Sequence, residues 1–281
     1  MERKLKSIII GHDNVIDSLM NITKRIKYGD NRCYSMLFVG PSGVGKTCLA
    51  KEYAKLLVGE TNFIRLDMSE YSDSTSVNKI LGSSPGYIGY DDNKNVLEEI
   101  RNKPNSVLLL DEIDKAHPSV INLFYQILEE GKIKNSKGVT IRFNNMVIIM
   151  TSNVGFEKNN IGFNKNNDNI NGLKNRFSTS FINRIDGIMT FDRLSEDDVR
   201  KIISNKLEII NKKHSDINIP YADDVIDKII KESDFYEFGA RRLDKIISRG
   251  IENIIFEAII NNVKDVYIDK LNEYEKNITK S

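Results

Sequence analysis

Five near-continuous apolar runs of strand length punctuate the first two thirds of the chain, at residues 35–39, 62–66, 107–110, 146–150 and 188–191. Runs without polar alternation belong to strands covered on both faces, and helical or loop segments separate them, so the pattern predicts an α/β fold with a parallel sheet between helices. From Ser195 the periodicity changes. Val199, Ile202, Ile203, Leu207 and Ile210 recur at helical spacing, with Ser195 as N-cap and acidic residues in the first turn. A second helical stripe runs through Leu243, Ile246, Ile247, Ile251, Ile254, Ile255 and Ile259. The expected division is a large domain over 1–191 and a smaller, mostly helical C-terminal domain over 192–281, with a short strand near 266–268. Residues 159–171, polar and Asn-rich around one apolar triplet, are expected to form an exposed flexible loop.

Composition narrows the choice of partner. Forty-one basic residues against 40 acidic ones leave a net charge of +1, so no overall field draws the chain to nucleic acid or to an anionic membrane. The N-terminal MERKLKSIII is too short in apolar residues for a signal peptide, and no later run could span a bilayer. With only Cys33 and Cys48, a reduced, cytoplasmic chain is expected. His12, His117 and His214 stand in no metal-ligand spacing, so zinc is not expected, and no Ser/His/Asp arrangement for peptide hydrolysis stands out.

Candidate chemistry begins at residues 40–47, which read GPSGVGKT directly after the first apolar run. In the loop Gly40, Pro41, Ser42, Gly43, Val44 and Gly45 the glycines let successive backbone amides converge on phosphates, Lys46 reaches the terminal phosphates of ATP, and the Thr47 hydroxyl ligates Mg2+. A helix expected from Val44, carrying Cys48, adds its positive N-terminal end. Hydrolysis further needs a carboxylate holding the metal through water and a second one polarising the attacking water. The run VLLLDE supplies Asp111 and Glu112 at a strand end. Asn153, after the apolar run leading into TSN, can orient the water. Arg184 in FINRID and Arg241 in GARRL are arginine candidates that spacing alone does not single out.

Taken together, these motifs resemble the Clp/HSP100 AAA+ unfoldases, in particular the second ATPase module of the ClpA, ClpB and ClpC type. The likeness runs through IIIG near Ile8, GPSGVGKT, DMSEY from Asp67, GYIGY from Gly86, LLLDEIDKAHPSV from Leu108, IIMTSN from Ile148, FINRID from Phe181 and FGAR from Phe238. It implies that Ile10 and Gly11 hold adenine, that Glu112 is the base and that Asn153 is the first sensor. Arg184 is implied to be a finger acting on a neighbouring subunit's ATP, and Arg241 a second sensor on the small domain. The same likeness implies a homo-hexamer in which Tyr87 and Ile88 grip unfolded polypeptide; without it, GYIGY reads as a turn with packed aromatics. Ile161, Gly162 and Phe163 resemble the loop that docks on a ClpP-like peptidase, and an apolar anchor on a polar tether suits weak contacts multiplied by avidity.

The expected activity is therefore ATP-driven unfolding that feeds a peptidase, without nucleic acid or membrane as partner. A ClpB-type disaggregase without a peptidase, and a nucleotide-binding assembly element with little turnover, remain alternatives; a nucleic-acid motor is disfavoured by the balanced charge. The chain holds one ATPase module of the family pattern and is expected to be either a fragment of a longer subunit or a natural single-ring relative.

Overall fold

The computed structural model describes residues 1–82, 96–156, 172–222, 224–235 and 239–268. It divides into two units, Met1–Pro41 with Gly45–Asp192 and Ser42–Val44 with Arg193–Ser281.

In the first unit, β1 (Tyr34–Val39), β2 (Phe63–Asp67), β3 (Val107–Asp111), β6 (Val147–Ser152) and β7 (Gly187–Thr190) form one sheet in the order β2-β3-β6-β1-β7. Every pairing is parallel. All of β1, β3 and β6 is buried, which explains why these three runs carry no polar alternation. Met36, Leu37 and Phe38 have no exposed surface, and each such side chain contributes roughly 1.5–3 kcal/mol of burial. Between β3 and β6 the chain adds an antiparallel hairpin, β4 (Lys132–Lys134) with β5 (Thr140–Arg142), whose three-residue strands are too short for the apolar pattern to announce.

Helices accompany these strands, among them α1 (Glu2–Ile8), α2 (Asp13–Tyr28), α3 (Lys46–Val58), α4 (Val77–Leu81), α5 (Val96–Asn102), α6 (Pro118–Glu130) and α7 (Thr179–Asn183). The register Val39↔Ser152 and Leu110↔Met150 ends the three central strands at one level. The crevice beyond the carboxyl ends of such strands is where open α/β sheets take ligands.

The second unit is helical. Ser195 caps the helix Glu196–Lys213 with a full capping box, its hydroxyl accepting from the Asp198 N–H while Asp198 accepts from the Ser195 backbone. Val199, Ile203, Leu207 and Ile210 are buried, as the spacing predicts. The second stripe is only partly so. The helix Ala240–Ile247 passes through a π-turn at Ser248–Glu252 into the helix Asn253–Ile260. The wider turn shifts the buried face, so Ala258 takes the inward position and Ile259 is 45% exposed. The strand expected near 266–268 is absent as a strand, and single parallel bridges join Asn218 to Asp265 and Tyr221 to Ile268. Pro220 lies between the two bridged positions and lacks the N–H a longer ladder needs. Among the described residues no helix is long and apolar enough to cross a membrane.

Candidate functional site: a phosphate loop at the strand ends

The loop after β1 leads into α3, which begins at Lys46, two residues later than expected from the sequence. Gly45 stands at the N-cap with φ 106°, a left-handed conformation that keeps it outside the helix. At Gly40 the constraint is space: a Cβ there would stand 2.5 Å from the carbonyl oxygen and 2.8 Å from the Cβ of Phe191. That residue's N–H also bonds to the Val39 carbonyl at 2.7 Å. The loop is thus pressed against the end of β7.

Lys46 is buried at 7% exposure. Its Nζ donates to the carbonyl oxygens of Gly40 and Pro41, each at 2.6 Å, and to Oδ1 of Asn153 at 2.8 Å. The next side chain, Thr47, donates from Oγ1 to Oδ1 of Asp111 at 2.9 Å. These contacts bring together groups from the ends of β1, β3 and β6 that the sequence separates by more than 60 residues.

Asp111, only 3% exposed, is held at both oxygens. Its Oδ1 also accepts from Thr151 Oγ1 at 2.6 Å, and Oδ2 accepts from Arg65 Nη2 at 2.7 Å and Nε at 3.2 Å. The Thr151 oxygen in turn accepts from the Glu112 N–H at 2.8 Å. Glu112 itself adopts φ 58° and ψ 51°, a left-handed conformation that costs a side-chain-bearing residue roughly 1–2 kcal/mol. Such strain is retained where surrounding bonds over-determine it. Lys115 pairs with the Glu112 carboxylate at 2.5 Å, and this pairing raises the lysine's pKa. Arg176 holds the following turn, donating to the carbonyls of Asp114 and Ala116 at 2.7 Å each.

Ile10 and Gly11 occupy the link between α1 and α2, where Gly11 has φ 82°. Arg184 is exposed and forms an ion pair with Glu129 on α6. Its own carbonyl and the Asp186 side chain are gripped by the start of β1: Ser35 Oγ donates to the Arg184 carbonyl at 3.1 Å, and the Ser35 N–H donates to Asp186 Oδ2 at 2.9 Å. Arg241 falls within the helix Ala240–Ile247, and its side chain lies outside the described residues. Tyr87, Ile88, Ile161, Gly162 and Phe163 also lie outside them.

Sequence reasoning passed over Arg65, Thr151, Lys115 and Arg176. Arg65 sits in the run before DMSEY, and Thr151 stands inside IIMTSN without a role assigned to it. Only their position beside Asp111 gives them meaning.

The arrangement fits a nucleotide phosphate with a divalent cation. An ammonium donor sits over a glycine-rich loop, and the hydroxyl and carboxylate beside it are hard oxygen ligands suited to Mg2+. Residues 31–188 match the model of the AAA domain (Cdc48 subfamily). The chain belongs to the AAA family. Residues 194–268 match the C-terminal, D2-small domain of ClpB protein, and the two matches together are the second ATPase module of the Clp/HSP100 proteins. Membership carries nucleotide binding with it.

The chain is 39% identical over 281 residues to the chaperone protein ClpB of Clostridium tetani, covering 95% of this chain and 32% of that protein. It is 40% identical over 272 residues to the ATP-dependent Clp protease ATP-binding subunit ClpE of Streptococcus pneumoniae, covering 92% and 36% respectively. Against the S. cerevisiae Hsp104–ADP complex the TM-score is 0.85 at 32% identity, covering all of this chain and 52% of that one. The AAA chain thus spans about a third of the length of the curated relatives.

Proposed function

We propose that this AAA module is the motor of a ring-forming, ATP-dependent protein unfoldase that threads polypeptide into a ClpP-like peptidase in the cytoplasm. The observation that carries the ATP-driven part of this reading is the hydrogen-bonded convergence of Lys46, Thr47, Asp111 and Asn153 at the ends of three adjacent parallel strands, and likeness to a Clp protease ATP-binding subunit supports the rest.

In this mechanism residues 40–48 cradle the phosphates and Ile10 and Gly11 hold the adenine. Lys46 exchanges its loop carbonyls for terminal phosphate oxygens, whose charge suits it better than neutral carbonyls do. Thr47 and Asp111 would hold Mg2+, which when bound would supply positive charge against the phosphates. Glu112 accepts a proton from the attacking water, which requires that its carboxylate leave Lys115. Asn153 orients that water, its backbone N–H anchored on Asp114 Oδ1 at 3.3 Å. Arg184 reaches the ATP of the neighbouring subunit in a homo-hexamer, leaving Glu129, while Arg241 reports the nucleotide state through its own subunit. Tyr87 and Ile88 then pull an unfolded chain by apolar contact that demands no particular side chain. Ile161, Gly162 and Phe163 supply the peptidase anchor.

The experiment is degradation of a stably folded protein by a ClpP-type peptidase with the chain and ATP, alongside Ile161→Ser/Phe163→Ser and Glu112→Gln variants. Stimulation that both variants abolish is expected. Undiminished degradation with the double serine variant sinks the docking role, and a wild-type ATPase rate as low as that of Glu112→Gln reduces the module to an assembly element.

A second reading, a peptidase-independent remodelling chaperone, is favoured by the ClpB type of the small domain and by the ClpB and Hsp104 relatives. Reactivation of an aggregate without peptidase stimulation decides for it.

A further inference from the structure

Asp111 is nearly buried, yet one of its two oxygens is claimed by a group that no phosphate chemistry requires. Arg65 lies on β2, the edge strand, in register with Leu109, and two residues on Asp67 faces Asp111. Period-two alternation puts Arg65 on the same face as Asp67, so its guanidinium reaches diagonally across the strand pair. Both contacts, Nη2 at 2.7 Å and Nε at 3.2 Å, go to Oδ2, and neither goes to the Oδ1 that meets Thr47 and Thr151. A guanidinium stays charged at any working pH, so this hold is permanent.

We propose that Arg65 is a positioning residue of the magnesium site: by occupying Oδ2 of Asp111 it turns Oδ1, alone, toward the Thr47 hydroxyl and the metal's hydration shell. The inference rests on the ATP–Mg2+ reading above.

Two effects of Arg65 on the metal oppose one another. Its charge repels a cation, and its hydrogen bonds orient the carboxylate. The side chain is 41% exposed whereas that of Asp111 is 4% exposed, so water screens the repulsion while the short bonds to a buried oxygen are not screened. Orientation wins. Removing the guanidinium leaves Oδ2 without a donor and frees the carboxylate to turn, and losses of this kind in the outer shell of a metal lower its affinity about 10–100-fold.

The test is a titration of Mg2+ against binding of a fluorescent ADP analogue, with a parallel measurement in EDTA. Arg65→Met is expected to raise the half-saturating Mg2+ concentration about tenfold or more. Binding in EDTA should stay close to wild type, whereas the midpoint of thermal unfolding falls because the buried Oδ2 loses its charged donor, so the titration is run well below that midpoint. Arg65→Lys, which keeps the charge but offers no planar fork, should fall between the two. An unchanged or lower Mg2+ requirement in Arg65→Met overturns the proposal, and so does an equal loss of binding in EDTA, which marks a merely structural role. Thr47→Ala separates the underlying reading. If it is impaired and Arg65→Met is not, the metal site stands and only the role of Arg65 falls. If Thr47→Ala matches wild type, the metal lies elsewhere and both fall.

Discussion

Thr151→Val tests whether the left-handed turn at Glu112 is held by a single buried hydroxyl. Valine keeps the β-branched shape and suits a strand, so packing is nearly preserved and the change isolates the oxygen. Thr151 is 1% exposed, and its Oγ1 donates to Asp111 at 2.6 Å while accepting from the Glu112 N–H at 2.8 Å. The first bond has a charged acceptor, worth about 1.5–3 kcal/mol, and leaving the N–H unpaired costs about 1–3 kcal/mol more, so a loss of roughly 3–5 kcal/mol is expected. For a unit of this size that corresponds to a fall in Tm of about 10 °C or more. Thr151→Ser retains both bonds and should lose only about 1 kcal/mol, the burial of one methyl group.

The assay is urea unfolding and calorimetry of the wild type, both variants, Asp111→Asn and the double variant Asp111→Asn/Thr151→Val. A coupling energy of about 0.5 kcal/mol or more is expected for groups in direct contact. A valine variant within about 1 kcal/mol of wild type, or a serine variant as weak as valine, refutes the argument that this hydroxyl holds the turn.

Further outcomes follow from the same geometry. Arg184→Ala should lower kcat roughly 10³-fold or more, as loss of an arginine finger does, yet leave urea stability nearly unchanged. Its pair with Glu129 is half exposed and worth only about 0.2–1 kcal/mol, so a stability loss above about 2 kcal/mol would make Arg184 a structural residue instead. Gly40→Ala places a Cβ against the Phe191 carbonyl and should cost about 1–3 kcal/mol in denaturant stability with weakened ADP binding; an unchanged midpoint would show that the loop yields freely. Burial pushes the pKa of the Cys33 thiol from 9.0 up to about 12 and that of the Tyr53 phenol from 10.0 up to about 12. The folded state therefore keeps protons that the unfolded chain releases, so stability is intact below pH 9 and falls as pH rises toward 12. Each group contributes a slope of up to about 1.4 kcal/mol per pH unit, and Cys33→Ala should flatten the profile in urea titrations at pH 9–11. A profile as steep as wild type contradicts the assignment.

Much of the fold was legible because its causes are local. Fully buried parallel strands demand uninterrupted apolar runs, and a phosphate loop demands glycines, lysine and threonine at fixed offsets; both are written consecutively in residues 35–47. The capping box at Ser195 is equally local. What failed was phase and pairing. Ile259 fits a helical stripe that the π-turn displaces, and the strand near 266–268 is cut to single bridges beside Pro220.

The sequence by itself determined the sheet, the capped helix of the second unit, and the residue types able to meet a phosphate and a cation, since each follows from side chains a few positions apart. Only the tertiary structure decided how those groups are held. Parallel pairing of β2 with β3, and of β3 with β6, sets Arg65 and Thr151 against Asp111, while a helical stretch at 172–176 brings Arg176 to the turn that follows. Those contacts join residues 40 to 62 positions apart, a range over which register decides the neighbour and no periodicity in the chain records it.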